Sequence, residues 1–211
     1  MLSDYIINTP VASVIFAFTV GLSIYAFSQP ELYGRMMLHP YSVYRDRSKW
    51  FTVITSGMIH KDWSHLLFNM ITFYFFGFAL EALLVAQSGS IGHVYFAGMY
   101  VVALVLSDIP TILQQKDNYG YHSLGASGAI SAVLFSFILF YPRTLLYLFF
   151  AIPIPAFVFG FLYLGYCIWA AKNARDGINH DAHLFGALTG LVLTIMLYPW
   201  ILRHFLEQFG I

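Results

Sequence analysis

Six stretches of this chain contain no Asp, Glu, Lys or Arg: Val11–Gln29, Leu66–Leu80, Val94–Ser107, Leu124–Tyr141, Leu145–Ala171 and Ala182–Ile201. Several approach or exceed the ~20 apolar residues that carry a helix across ~30 Å of hydrocarbon. Only 9% of the residues are charged and 59% are hydrophobic, whereas a soluble domain carries about a quarter charged residues. Too little charge is available to coat a surface in water, so lipid is the expected solvent. The second and third stretches stop short at Glu81 and Asp108, but polar residues flanking a span can lie at the membrane interface. The fifth is broken by Pro153 and Pro155. Proline belongs in a helix's first turn and interrupts its interior. Leu145–Ile154 is therefore expected to be an interfacial or extended approach, with the helix covering about Pro155–Ala171. The reading is an all-α membrane protein of six transmembrane helices, a single domain over residues 1–211. The first stretch lacks a basic flank and a small-residue cleavage site, so it reads as a retained span and not as a removed signal peptide.

The formal net charge is zero, which argues against a nucleic-acid partner. The lone Cys167 lies inside the fifth stretch, so no intramolecular disulfide can form. No internal repeat is present, and neither a metal nor a cofactor is expected. With both termini on one side, the loops after the first, third and fifth spans hold Arg35, Arg45, Arg47, Lys49, Lys61, Lys116, Lys172 and Arg175. The other side holds only Arg143 and Arg203. The positive-inside rule makes the first group cytoplasmic.

The polar residues near these spans are what bear on function. Segment 29–64 is too long for a simple connection, and its Tyr41, Tyr44, Trp50 and Trp63 are ring types enriched at the membrane–water boundary. It is expected to lie partly in the interface. It leads into "HKDWSHLLFNM" (60–70), where His65 and Asn69 share one helix face, a turn apart. A polar pair inside a membrane is costly unless partnered or functional; it serves either as structural glue between helices or as a site. At the sixth span, "NHDAHLFGALTG" (179–190) follows His183 with Gly186 and Gly190 in a G-x-x-x-G spacing that lets another backbone approach closely. "HSLGASGAISAVLF" (122–135) supplies a matching small surface in Gly125, Ala126 and Gly128. Packing the fourth span on the sixth would set Ser127 beside His183. A hydroxyl in the first turn of a helix sits where unpaired N–H groups and the positive dipole end converge, which suits a developing oxyanion. The structural alternative is a helix cap.

"HLLFNM" (65–70), "GASGA" (125–129) and "AHLFGALTG" (182–190), in this order on spans two, four and six, resemble the motifs of rhomboid intramembrane serine proteases in their compact prokaryotic form. The resemblance covers roughly residues 50–200. It implies that Ser127 is the nucleophile and His183 the general base of a dyad without an acidic third member. It also implies that His65, Asn69 and the Ser127 backbone N–H stabilise the oxyanion. His60 and Glu81 match structural positions, and Asp181 is left out of the catalytic set. The implied function is an intramembrane serine endopeptidase acting on transmembrane protein substrates within the bilayer, through an acyl-enzyme. The alternative is a catalytically silent relative that binds transmembrane clients. The implied setting is a bacterial inner membrane, with both termini cytoplasmic and the active site opening to the outer face, against the charge count above.

Two positions depart from the family pattern. "SKWFTV" (48–53) has Trp50 with no arginine after it, so Lys49 or Arg47 is expected to anchor the loop. The aromatic ring that the family places one turn after the nucleophile, under the histidine, is Ser131 here. Other membrane activities fit less well. No H-E-x-x-H marks a membrane zinc protease, Asp108 lacks a second carboxylate for aspartyl chemistry, and Pro153 and Pro155 have no counterpart in the first half, as a transporter would need.

Overall fold

The computed structural model describes residues 7–148 and 151–211. The described chain is mostly helical: α1 (Pro10–Phe27), α2 (Pro30–Met36), α3 (Pro40–Arg45), α4 (Thr52–Thr55), α5 (Trp63–Ser88), α6 (Ile91–Gln115), α7 (Ser127–Phe140), α8 (Ala156–Asn173), α9 (His180–Leu197) and α10 (Ile201–Glu207), with short 3-10 turns at Arg47–Lys49 and Ser56–Met58. Proline opens α1, α2 and α3, where its missing N–H costs nothing. Asp62 caps α5 by accepting from the His65 N–H at 2.8 Å, and Asn179 caps α9 through the Ala182 N–H at 3.1 Å. The Leu145–Ile154 approach is extended as expected. β1 (Leu145–Leu148) and β2 (Ile152–Pro155) form an antiparallel hairpin pairing Leu145 with Pro155 and Leu148 with Ile152. Phe149 and Phe150 of that stretch lie outside the described residues.

Four helices, α1, α5, α6 and α9, are long and apolar enough to cross a membrane. Of the two remaining apolar stretches, α8 has 18 residues and α7 has 14, about 21 Å of helix. Buried side chains from α5, α6, α7 and α9, including Phe73, Phe96, Leu80 and Leu84, build the main core. Within it α7 is buried on nearly every face; such all-round apolarity is what a central helix requires. The outer helices present Val14 and Phe18 of α1 and Phe161, Leu162 and Trp169 of α8 outward. In water that apolar surface would be a liability; in lipid it is the expected exterior.

The carboxylate of Glu81 inside this core is accounted for. Glu81 is fully buried, and its carboxylate accepts from the N–H groups of Val11 and Ala12 at 3.1 and 2.6 Å and meets His93 Nδ1 at 2.6 Å. It thereby satisfies orphan donors in the first turn of α1, which explains why α5 runs through it to Ser88. Segment 29–64 has structure of its own, and Arg45 anchors it to the loop after α6. The Arg45 guanidinium donates to Lys116 O, pairs with Asp117 at 2.7 Å and lies 3.9 Å over the Tyr41 ring. Among the described residues, Arg47 and Lys49, the expected anchors, make no side-chain hydrogen bond or ion pair; the 3-10 turn that holds them leaves both exposed.

Candidate active site

α7 and α9 pack more extensively than any other pair of helices, and glycine is the reason. A Cβ on Gly186 would run into the Gly128 carbonyl oxygen, one on Gly190 into that of Ala132, and one on Gly128 into the Ser107 hydroxyl. Of the small surface expected from the sequence, Gly128 meets Gly186, whereas Gly190 meets Ala132 and Gly125 abuts His65; the first turns of both helices are brought to one end of the bundle. Ser136 Oγ, within 2.8 Å of Ala132 O and 3.2 Å of Gly190 O, bridges the pair farther down.

The loop leading into α7 is pinned on several sides. Leu38 and Ser123 exchange backbone hydrogen bonds of 3.0 and 2.9 Å, and the Gly125 N–H donates to Ser56 O at 2.9 Å. Gly125 has φ +118, and a Cβ there would sit 2.5 Å from His65 Cε1; glycine serves both the conformation and the close approach. The fully buried His60 closes the arrangement. The Ser23 hydroxyl lies 3.2 Å from Met58 O and 3.0 Å from His60 Nδ1, while His60 Nε2 accepts from the Ala126 N–H at 3.5 Å. These contacts fit one neutral tautomer, with the proton on Nδ1 given to Ser23. Burial, reinforced by the neighbouring His65, pushes His60 down to about 3, so the ring stays neutral. Asn179 ties the start of α9 to the same loop, donating to Ser123 Oγ at 3.1 Å and accepting from Thr111 Oγ1 at 3.0 Å.

Ser127, His183, His65 and Asn69, from three different helices, line one cavity of about 960 Å³ open at this end of the molecule. That is room for on the order of 30 waters. Ser127 is the first residue of α7, after Ala126 at the N-cap position, and its hydroxyl makes no hydrogen bond among the described residues. At about 21 Å, α7 is shorter than the ~30 Å of hydrocarbon a spanning helix must cover. His65 Nδ1 accepts from the Lys61 N–H at 3.4 Å, which leaves the opposite nitrogen, beside Gly125, as the proton-bearing one. Asn69 Nδ2 donates to His65 O at 2.9 Å, keeping one amide hydrogen free. Among the described residues neither side chain hydrogen-bonds a neighbouring helix, and the His65 ring packs on that of His60. Ser127 Oγ and His183 share the cavity without a hydrogen bond between them; such bonds are often long until substrate binds.

A ring does lie under His183, and it comes from another helix. Tyr163 of α8 stacks on the imidazole with ring centroids 6.3 Å apart and planes 21° from parallel. Its hydroxyl lies 2.7 Å from Ser131 Oγ. The small residue at 131 and the aromatic at 163 are complementary, a pairing invisible in the sequence because the positions are 32 apart. Asn179 carries a local signal, an Asn directly before an apolar helix; Tyr163, Ser123 and His60's tautomer carry none.

A serine in the first turn of one apolar helix and a histidine in the first turn of another line a single cavity, and sequence comparison assigns the fold to a family. The Rhomboid domain family model matches residues 47–200, so the chain belongs to the rhomboid family. It is 32% identical to RHOMBOID-like protein 12, mitochondrial, of Arabidopsis thaliana, over 67% of this chain and 44% of that protein. It is 27% identical to Rhomboid protein 1, mitochondrial, of Saccharomyces cerevisiae, over 74% of this chain and 43% of that one. A Bacillus subtilis protein provisionally named rhomboid protease YdcA is 26% identical, over 89% of this chain and 88% of its own. The chain thus spans less than half the length of the two mitochondrial relatives.

Proposed function

We propose that this protein is a rhomboid-type intramembrane serine endopeptidase, a single six-span domain in which Ser127 attacks and His183 is the general base. The observation that carries the reading is the Ser127 hydroxyl itself. It sits at the first position of a buried helix, makes no side-chain hydrogen bond among the described residues, and lies in the cavity that His183 also lines. His183 takes the Ser127 proton as the oxygen attacks a scissile carbonyl. The developing oxyanion meets the Ser127 N–H, the His65 ring N–H and the free Asn69 amide hydrogen. Water already in the cavity then hydrolyses the acyl-enzyme, with His183 again as base. Substrates are transmembrane segments whose carbonyls become accessible by local unwinding, so helices rich in Gly near the interface are favoured. Segment 29–64 rests in the interface, the termini are cytoplasmic and the cavity opens to the outer face of a bacterial inner membrane.

The test is labelling of detergent-solubilised protein with a fluorophosphonate. Wild type forms an adduct; Ser127→Ala and His183→Ala do not; Asn69→Ala reacts about 10²–10³-fold more slowly. The missing Ser127–His183 hydrogen bond favours the second reading, a silent binder of transmembrane clients. An unlabelled wild type whose client binding survives Ser127→Ala would establish that reading instead.

A further inference from the structure

Beside His183, the proposed base, lie two side chains that peptide hydrolysis does not use. Cys167 of α8 and His180 and His183 of α9 bring one potential ligand atom each to within 4.8 Å of one another. Cys167 is 1% exposed and His180 4%. His180 Nε2 is engaged by the Asp176 carboxylate, 3.1 and 3.3 Å from its two oxygens, while its Nδ1 is buried with no hydrogen-bond partner. A buried ring nitrogen without a partner is costly. With a carboxylate on the opposite nitrogen, the Asp176–His180 pair has the arrangement that orients and strengthens histidine ligands of metals.

We propose that Cys167, His180 and His183 form an inhibitory site for a borderline-soft divalent cation, zinc above all. One thiolate and two imidazoles are a zinc donor set. Tetrahedral coordination needs ligand atoms about 3.3–3.6 Å apart, so the three close by roughly 1 Å on binding. The thiol proton leaves to solvent as the sulfur–metal bond forms, and a cavity water takes the fourth position. The cation arrives through the cavity that His180 and His183 both line.

Inhibition follows whichever His183 nitrogen binds, and this part rests on the function proposed above. A metal on the nitrogen facing Ser127 occupies the lone pair that must accept the proton. A metal on the other nitrogen forces the neutral ring to carry its hydrogen toward Ser127, where it donates and cannot accept. Metal-bound protein therefore has no general base.

Cobalt(II) is the probe, added to chelator-stripped protein in detergent. One equivalent is expected to produce a thiolate-to-cobalt charge-transfer band and tetrahedral visible bands, both removed by excess zinc. Cys167→Ser loses the charge-transfer band. Asp176→Asn keeps it but binds about 10–100-fold more weakly. Stoichiometric zinc slows fluorophosphonate labelling of wild type by about 100-fold or more and leaves Cys167→Ser at its own metal-free rate. The site is overturned if no charge-transfer band forms or if the band survives Cys167→Ser. A normal band with unslowed labelling overturns the inhibition. If metal-free protein is never labelled, the proposed hydrolase fails, and the cobalt spectrum still decides the site.

Discussion

Several side chains here hold others in place, and each substitution among them has its own readout. Tyr163 gives His183 a ring to lie on and is itself fixed through Ser131. Tyr163→Phe keeps the ring and loses one hydrogen bond, a cost of about 1 kcal/mol. Tyr163→Ala removes a large, partly buried ring, costs more than the Phe variant, and is expected to slow fluorophosphonate labelling well beyond it in samples equally folded. Equal labelling of the two would show that the stack does not position the base. His60 supplies a pH signature. Its folded value of about 3 lies below the ordinary 6.5, so the unfolded chain binds a proton that the native site refuses. The contribution is fully present above pH 6.5 and is lost as pH falls toward 3, at about 1.4 kcal/mol per pH unit. Thermal unfolding in detergent should show about 2 kcal/mol lost at pH 5, and His60→Asn should flatten that slope while lowering stability at pH 7.

At the scale of elements, the fit of α7 against α9 is steric and can be tested by single methyl groups. Gly186→Ala and Gly190→Ala place a Cβ against backbone oxygens that cannot move aside, so each should cost about 1–3 kcal/mol and lower labelling by separating the first turns of the two helices. Gly165→Ala on α8 meets nothing within 4 Å and should stay within about 1 kcal/mol of wild type, which controls for glycine replacement as such. The helices themselves were largely legible from uncharged length. Their ends were not: α5 and α6 run past the Glu81 and Asp108 at which the apolar stretches stop. Glu81 shows why, since its charge is absorbed by α1 and His93, groups 69 and 12 positions away. The extended approach before α8 followed from Pro153 and Pro155, because proline's effect on the backbone is local; its pairing into a hairpin did not.

For the whole molecule, the cavity and the basic residues share an end. Lys61 and Asp176 line the cavity, and the segments that carry them also carry Arg35, Arg45 and Arg175. Arg143 lies at the other end, donating to Gln208 O at 3.2 Å. The orientation proposed here therefore runs against the charge count, and Arg45, already paired with Asp117, shows how a folded loop can neutralise its own bases. A topology reporter fused after Ile211 should read cytoplasmic; an external reading reverses the assignment and turns the cavity mouth inward. The sequence by itself determined the solvent, the apolar helices and the two small-residue faces, because hydropathy and spacing act over a few consecutive residues. Tertiary structure alone decided which ring supports His183, which base anchors the long loop, and that Cys167 and His180 stand beside the proposed site. Those are contacts between positions tens of residues apart, fixed only when helices buried on several sides have one way to pack.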